Sequence, residues 1–252
     1  MDRSELQNKS AELEIQSAAE IIAEAVKLYG DKLVLASSLG AEDQVLTHLL
    51  LDANPKARVF VLDTGRLHPE TYDVIAETEK KYGMKYELYY PQTEAVETLV
   101  REKGINSFYD SIENRKECCH IRKVEPLKRA LSSAEAWITG IRRSQAVTRI
   151  NTPILEWDEG FDLAKFNPLA TWSEDDVWAY IKENNIPYNA LHDNGFPSIG
   201  CAPCTRAIEL GEDVRSGRWW WESPDSKECG LHVVDGKLVR KSKEKEKEAF
   251  ES

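Results

Sequence analysis

A doubly wound α/β domain with a mostly parallel sheet is the fold class that this sequence predicts. Three observations carry it. Short apolar runs alternate with amphipathic stretches of helical length between Leu33 and Ser173. Each run stops abruptly at a polar or glycine-containing turn. No internal repeat or linker interrupts the alternation. Strands that alternate with crossover helices make a parallel sheet covered on both faces. The division expected is residues 1–220 as the α/β domain and 221–252 as a C-terminal tail.

The elements follow in order. Ser4 to Leu28 carries Leu6, Leu13, Ile15, Ala19, Ile22, Ala25 and Val26 at helical spacing, and Gly30 suits the C-terminal cap. Leu33-Val34-Leu35-Ala36 is a buried first strand that breaks into Ser37-Ser38-Leu39-Gly40. A helix starts near Ala41 and ends before Pro55. Arg58 to Leu62 is the second strand, stopping at Asp63-Thr64-Gly65. Pro69 opens a helix that Gly83 closes. Lys85 to Tyr90 is the third strand, and Thr93 to Lys103 the next helix. A helix over Val124 to Leu131 precedes a fourth strand at Ala136-Trp137-Ile138-Thr139-Gly140. Phe161 to Phe166 is the fifth. Ser173 caps a helix whose first turn holds Glu174, Asp175 and Asp176, where the helix dipole favours acids. Beyond Pro187 the pattern weakens, and Leu238 to Ser252 reads as a solvated tail or frayed helix.

A formal net charge of −11 argues against broad nucleic-acid or anionic-membrane binding. No apolar run reaches the length of a membrane span, and the polar start, Met-Asp-Arg-Ser-Glu, is no secretory signal. A cytoplasmic location is expected, where cysteines stay reduced unless they hold metal or do redox chemistry. Basic residues nevertheless cluster: Arg122 and Lys123; Arg142, Arg143 and Arg149; Arg206, Arg215 and Arg218. Such clusters either build an anion pocket or form surface ion pairs.

Ligands of an open parallel sheet bind beyond the carboxyl ends of its strands. Ser37, Ser38 and Gly40 lie there, before a helix N-terminus whose unpaired N–H groups suit an anion. The turn is neither a Gly-x-x-x-x-Gly-Lys-Ser/Thr nucleotide loop nor a Gly-x-Gly-x-x-Gly fingerprint. Leu62-Asp63-Thr64 ends the neighbouring strand, so two polar loops adjoin.

The five cysteines divide four to one. Cys118-Cys119 and Cys201-x-x-Cys204 supply four thiolates, the number an iron–sulfur cluster needs. A structural zinc site is the alternative, and unligated thiols a third. Zinc-binding pairs usually carry two to four intervening residues, whereas a cubane offers separate iron corners to adjacent cysteines. The reading favours a [4Fe–4S] cluster. Cys229 stands apart, flanked by Lys227, Glu228, Gly230 and His232, which is poor company for a core residue. It is the candidate nucleophile, and Arg215 and Arg218 are candidates to depress its pKa.

Together these segments resemble a known family. They are Leu62-Asp63-Thr64-Gly65-Arg66-Leu67, Cys118-Cys119-His120-Ile121-Arg122-Lys123, Thr139-Gly140-Ile141-Arg142-Arg143, Asn167-Pro168-Leu169, Gly200-Cys201-x-x-Cys204-Thr205 and Glu228-Cys229-Gly230-Leu231-His232. The family is that of the assimilatory adenylyl-sulfate reductases, in one superfamily with the phosphoadenylyl-sulfate reductases. The resemblance implies an adenine-nucleotide α-hydrolase-like fold with a catalytic C-terminal tail. It implies reduction of adenylyl sulfate to sulfite and AMP, with thioredoxin or a glutaredoxin-like protein as donor and a [4Fe–4S] cluster on the cysteine quartet. It implies Cys229 as nucleophile, Lys123, Arg215 and Arg218 as cations screening the sulfate, and His232 as a tail contact. Ser37, Ser38, Gly40, Leu62 and Thr64 would hold the nucleotide, and Arg142, Arg143 and Arg149 its phosphate and ribose. Homo-oligomerisation is allowed by this reading. The turn departs from the family's Ser-x-Ser-Gly-Ala-Glu-Asp, and Arg115 stands where several relatives carry histidine; no role is transferred to it.

Three other readings compete. A phosphoadenylyl-sulfate reductase or dual-substrate enzyme is the nearest, but such relatives usually lack both cysteine pairs. An ATP-pyrophosphatase-type ligase or tRNA thiolase would need a Ser-Gly-Gly-x-Asp-Ser loop and a basic RNA face. A zinc-stapled nucleotide-binding module is the non-enzymatic reading.

Overall fold

The computed structural model describes residues 3–145 and 149–223. Cys229, His232 and Leu238 to Ser252, expected as a solvated tail or frayed helix, lie outside the described residues.

The amino-terminal stretch forms two helices rather than one, α1 (Arg3–Leu13) and α2 (Ala18–Tyr29). Ser17 divides them. Its hydroxyl accepts from the Glu20 N–H at 3.3 Å while the Glu20 carboxylate accepts from the Ser17 N–H at 2.8 Å, a reciprocal capping box. Then come β1 (Leu33–Ser37), α3 (Ala41–Ala53), β2 (Arg58–Leu62), α4 (Pro69–Tyr82), β3 (Glu87–Tyr89) and α5 (Thr93–Lys103). These match the expected elements to within a few residues.

The cysteine pair falls inside a helix that the sequence reading did not place. α6 (Ile112–Cys119) runs through a π-helical turn, His120–Val124, into α7 (Glu125–Leu131). β4 (Ala136–Ile138), β5 (Leu155–Asp158), β6 (Leu163–Phe166) and α8 (Glu174–Glu183) complete the regular elements. β5 was not expected. It pairs antiparallel with β6 at the sheet edge; the other four pairings are parallel.

The strand order is β3-β2-β1-β4-β6-β5, so the sheet is wound outwards in one direction from β1 and in the other from β4. Side chains alternate across the sheet with the period of two that a strand imposes. Leu33, Leu35, Val59, Val61, Ala136, Ile138, Ala164 and Phe166 face one core with α2, α3 and α8. Val34, Phe60, Trp137 and Leu163 face the other with Leu127, Ala130 and Leu131 of α7. α3 is buried nearly all round because α2 and α8 both pack on it. Val45 and Leu46 have no exposed surface, and truncating Leu46 to alanine is expected to cost about 2–5 kcal/mol. The rigid sheet therefore fixes the strand ends where β1 and β4 part.

Candidate active site

A cavity of about 290 Å³ opens at that parting, where an open α/β sheet places its ligand. Ser37, Ser38, Gly40, Leu62 and Thr64 line it on one side, and Thr139, Gly140, Arg142 and Arg149 on another. Lys123, Arg215 and Arg218 supply positive charge to its wall.

The β1–α3 turn is held in a demanding conformation. Leu39 has φ 63° although it carries a side chain, and that side chain is buried. A left-handed leucine costs of order 1–3 kcal/mol, which surrounding contacts must offset. Three local bonds do so. The Leu39 N–H donates to Ser37 Oγ at 3.1 Å, and both the N–H and the hydroxyl of Ser38 donate to Asp43 Oδ2 at 2.6 Å. Asp43 is buried, and burial pushes its carboxyl up to about 6 against the opposing pull of the Ser38 bonds. Gly140 passes so close that a Cβ there would overlap Asp43 Oδ1. Asp43 thus ties the β1 turn to the end of β4. The α3 N-terminus behind this turn presents unpaired N–H groups and the positive end of its dipole to the cavity.

The three arginines after β4 have separate fates. Arg142 is buried; its Nε donates to Glu42 Oε1 at 2.8 Å and its Nη1 to Ser144 Oγ at 2.8 Å. Arg149 Nη1 donates to Gln145 Oε1 at 2.5 Å. Arg143 does not line the cavity. It pairs with Glu14, just past the end of α1, at 2.5 Å, and donates to Thr152 O at 2.8 Å. The structure thus turns Arg143, expected at the nucleotide, to a part-exposed ion pair with Glu14.

All four predicted thiols of the quartet meet. Cys118, Cys119, Cys201 and Cys204 line a second cavity of about 20 Å³ with Arg66, Phe108, Arg115, Arg122 and Lys123. They pack against Phe108, Trp219 and Trp221 and are free cysteines. Burial pushes the Cys204 thiol up to about 12, assisted by Cys201 and opposed by Lys123 and Arg218. Burial likewise raises Cys118, against Arg122. Thr64 Oγ1 lies 3.2 Å from Cys201 Sγ, joining the β2 turn to this centre. Among the described residues no three His, Cys, Asp or Glu side chains gather as a site for a single ion. Two donors in this shell, Arg122 Nε and Trp219 Nε1, are buried without a hydrogen-bond acceptor. Four soft donors, a cationic rim and two unanswered N–H groups fit a sulfur-ligated anionic group.

The two cavities share a wall. Lys123, in the π-helical turn, lines both.

The Phosphoadenosine phosphosulfate reductase domain family matches this chain over residues 32–207. The chain belongs to that family. Its matched region takes in β1, both polar turns and the whole cysteine quartet. Named adenosine 5'-phosphosulfate reductases are similar over most of the chain. One from Burkholderia cepacia is 56% identical over 204 residues, 81% of this chain and 82% of its own. One from Allochromatium vinosum is 54% identical over 202 residues, 80% of this chain and 79% of its own. One from Pseudomonas aeruginosa is 45% identical over 233 residues, 90% of this chain and 85% of its own. The crystal structure of a phosphoadenylyl-sulfate reductase from Candida auris superposes with a TM-score of 0.71 at 27% identity, covering 82% of this chain and 98% of its own. A Candida glabrata FMN adenylyltransferase, at 16% identity and TM-score 0.52 over 88% of this chain and 81% of its own, shares the fold alone.

Within this family frame, sequence reasoning missed several residues that build the site. Asp43, Gly140 and Trp219 bear on its walls, and His192, its pKa lowered by burial, lines the larger cavity. Gly140 stood in a quoted motif without a steric reason. The run Trp219-Trp220-Trp221 after Arg218 was a signal of dense aromatic packing that went unread.

Proposed function

We propose that this chain reduces adenylyl sulfate to sulfite and AMP through a covalent intermediate on Cys229. The Cys229 thiolate attacks the sulfuryl sulfur. An S–S bond forms, the S–O bond to the phosphate breaks, and AMP leaves with that electron pair. A dithiol donor of the thioredoxin or glutaredoxin type then attacks the modified Cys229. Its thiolate displaces sulfite, and its second thiol resolves the mixed disulfide, restoring the Cys229 thiol and leaving the donor oxidised.

The observation that supports this most is the shared wall. A nucleotide-sized cavity lies behind a helix N-terminus, and Lys123, Arg215 and Arg218 line the same cavity. A sulfuryl group is shielded by its own negative oxygens, so a thiolate approaches only where cations screen them. AMP is a competent leaving group because its phosphate spreads the developing charge. The α3 N-terminus suits that phosphate, with Ser37, Ser38 and Gly40 beside it. Leu62, Thr64, Arg142 and Arg149 belong to the nucleotide-binding walls in this reading, and His232 to the tail that brings the nucleophile.

A [4Fe–4S] cluster on Cys118, Cys119, Cys201 and Cys204 is part of the same proposal. Bound there, it would supply a fixed negative centre beside Lys123 that orders the thiol shell. The reductive electrons come from Cys229 and the dithiol donor. No helix among the described residues is long and apolar enough to cross a membrane. A cytoplasmic setting, where a dithiol donor stays reduced, suits the reaction.

Incubation with adenylyl sulfate and no reductant, followed by peptide mass spectrometry, tests the proposal. A sulfonated peptide containing Cys229 with one AMP released per chain is expected. Sulfite formation at the wild-type rate by Cys229→Ser would overturn it.

A further inference from the structure

We propose that Arg115 is a positioning residue for Arg218, acting through the Trp219 indole and neutralised by Glu222. The inference rests on the reading that Arg218 faces the sulfuryl group.

Arg115 belongs to α6, one turn before the cysteine pair, and is 1% exposed. Its Nε and Nη2 donate to the two carboxylate oxygens of Glu222, each at 2.8 Å. The pair is deeply buried on both sides. The Arg115 guanidinium lies over the Trp219 ring, 4.8 Å from its centroid. Arg218 lies over the same ring at 4.9 Å. Two like charges on one indole repel unless one is neutralised, and Glu222 neutralises Arg115. Glu222 is itself turned back onto this site, its N–H donating to Trp219 O at 2.8 Å.

Trp219 has φ 42°, a backbone conformation rare for a bulky residue. Its indole is 1% exposed, so the strain is held by packing. Gly200 closes on Arg218 from the other direction: a Cβ at Gly200 would overlap the Arg218 guanidinium. Arg218 Nη1 also donates to Ile199 O at 3.1 Å. The Arg218 head is therefore confined between a loop and an indole whose place Arg115 sets. A guanidinium at Arg115 is required because it grips a carboxylate with two parallel bonds while stacking on an aromatic face; an ammonium does neither as well.

The test is a double-mutant cycle on the full-length, metal-loaded protein with Arg115→Lys, Arg218→Lys and both. Each is read by kcat/KM for adenylyl sulfate, by the inhibition constant of AMP, which lacks the sulfuryl group, and by iron per chain. Each single change is expected to lower kcat/KM about tenfold, as loss of a charge-assisted contact would. AMP inhibition and iron stay at wild-type values, and the double variant is no worse than Arg218→Lys alone. Effects that multiply, wild-type turnover in Arg115→Lys, or parallel loss of AMP binding and iron would overturn the proposal. If Arg218→Lys itself leaves kcat/KM unchanged, the placement of Arg218 on the sulfuryl group fails and the inference falls with it. Should Arg115→Lys not accumulate as folded protein, Glu222→Gln enters the same cycle with the same expectations.

Discussion

The nucleotide side and the thiol side of this site adjoin, yet they are held by different forces. On the nucleotide side, the turns after β1, β2 and β4 hang from a sheet whose two faces are sealed by apolar side chains. Non-directional burial stabilises that side, and a few bonds around Asp43 refine it. On the thiol side, the α6 helix, its π-helical turn and a short 3-10 turn at Ala202–Cys204 replace strands. An ion pair, stacked guanidiniums, tryptophans and four sulfurs take the place of the aliphatic core. Such a polar shell is stable when every partner is satisfied and costly when one is removed. The nucleotide side should therefore be preorganised by the fold, while the order of the thiol side follows what its sulfurs hold.

Lys123 sits on the boundary, so its removal should produce the largest effect. Lys123→Ala is expected to lower kcat/KM by about 10²–10³-fold, the range for loss of one transition-state cation, with iron content unchanged. Equal loss of iron and turnover would assign it to the thiol shell instead.

Asp43 probes the other side. Its native carboxyl titrates at about 6, against 3.8 for an ordinary aspartate. The native state therefore keeps its proton longer than the unfolded chain. This contributes stability that is fully present below pH 3.8 and lost as pH rises through about 6. The loss amounts to about 3 kcal/mol. Asp43→Asn should lack that component, so urea unfolding at acid and neutral pH should show its stability rising relative to wild type by about that amount. A pH-independent difference would mean that Asp43 takes up its proton alike in the native and unfolded states.

Gly140→Ala forces a Cβ onto the Asp43 carboxylate and should destabilise by about 1–3 kcal/mol, the usual cost of overpacking. Weaker AMP binding with intact iron would place the damage on the nucleotide side. The smallest effect belongs to Ser17→Ala, which removes the α2 capping box far from both cavities. It should cost about 1 kcal/mol in thermal or urea unfolding and leave turnover unchanged.

The same contrast governs what the sequence disclosed. β1 and β2 were legible as continuous apolar runs because a parallel sheet is buried on both faces, and α3 and α4 through their helical period, with Pro69 and Gly83 bounding α4. The separation of α1 from α2 was written in Ser17-Ala18-Ala19-Glu20, a capping signature that the long apolar rhythm obscured. β5 was not, since Leu-Glu-Trp-Asp at a sheet edge is too short to show a period. α6 has no apolar stripe; Ile112-Glu113-Asn114-Arg115-Lys116-Glu117 is helical because Ser111 caps it and Arg115 anchors it through a distant glutamate. The cysteine quartet was legible as chemistry, since residue type and spacing carry it. The separation of Arg143 from its neighbours was not, because Glu14 claims it across the fold.

Both sides exist, in this account, to bring a sulfuryl group bound behind the α3 turn within reach of one thiol. The most direct measurement is a single-turnover experiment with sulfur-labelled adenylyl sulfate and no dithiol donor, stopped with acid and mapped by peptide mass spectrometry. Label is expected on the peptide containing Cys229, formed at the rate of AMP release and absent from Cys229→Ser. Label on any of Cys118, Cys119, Cys201 or Cys204, or AMP release with no labelled peptide, would contradict it.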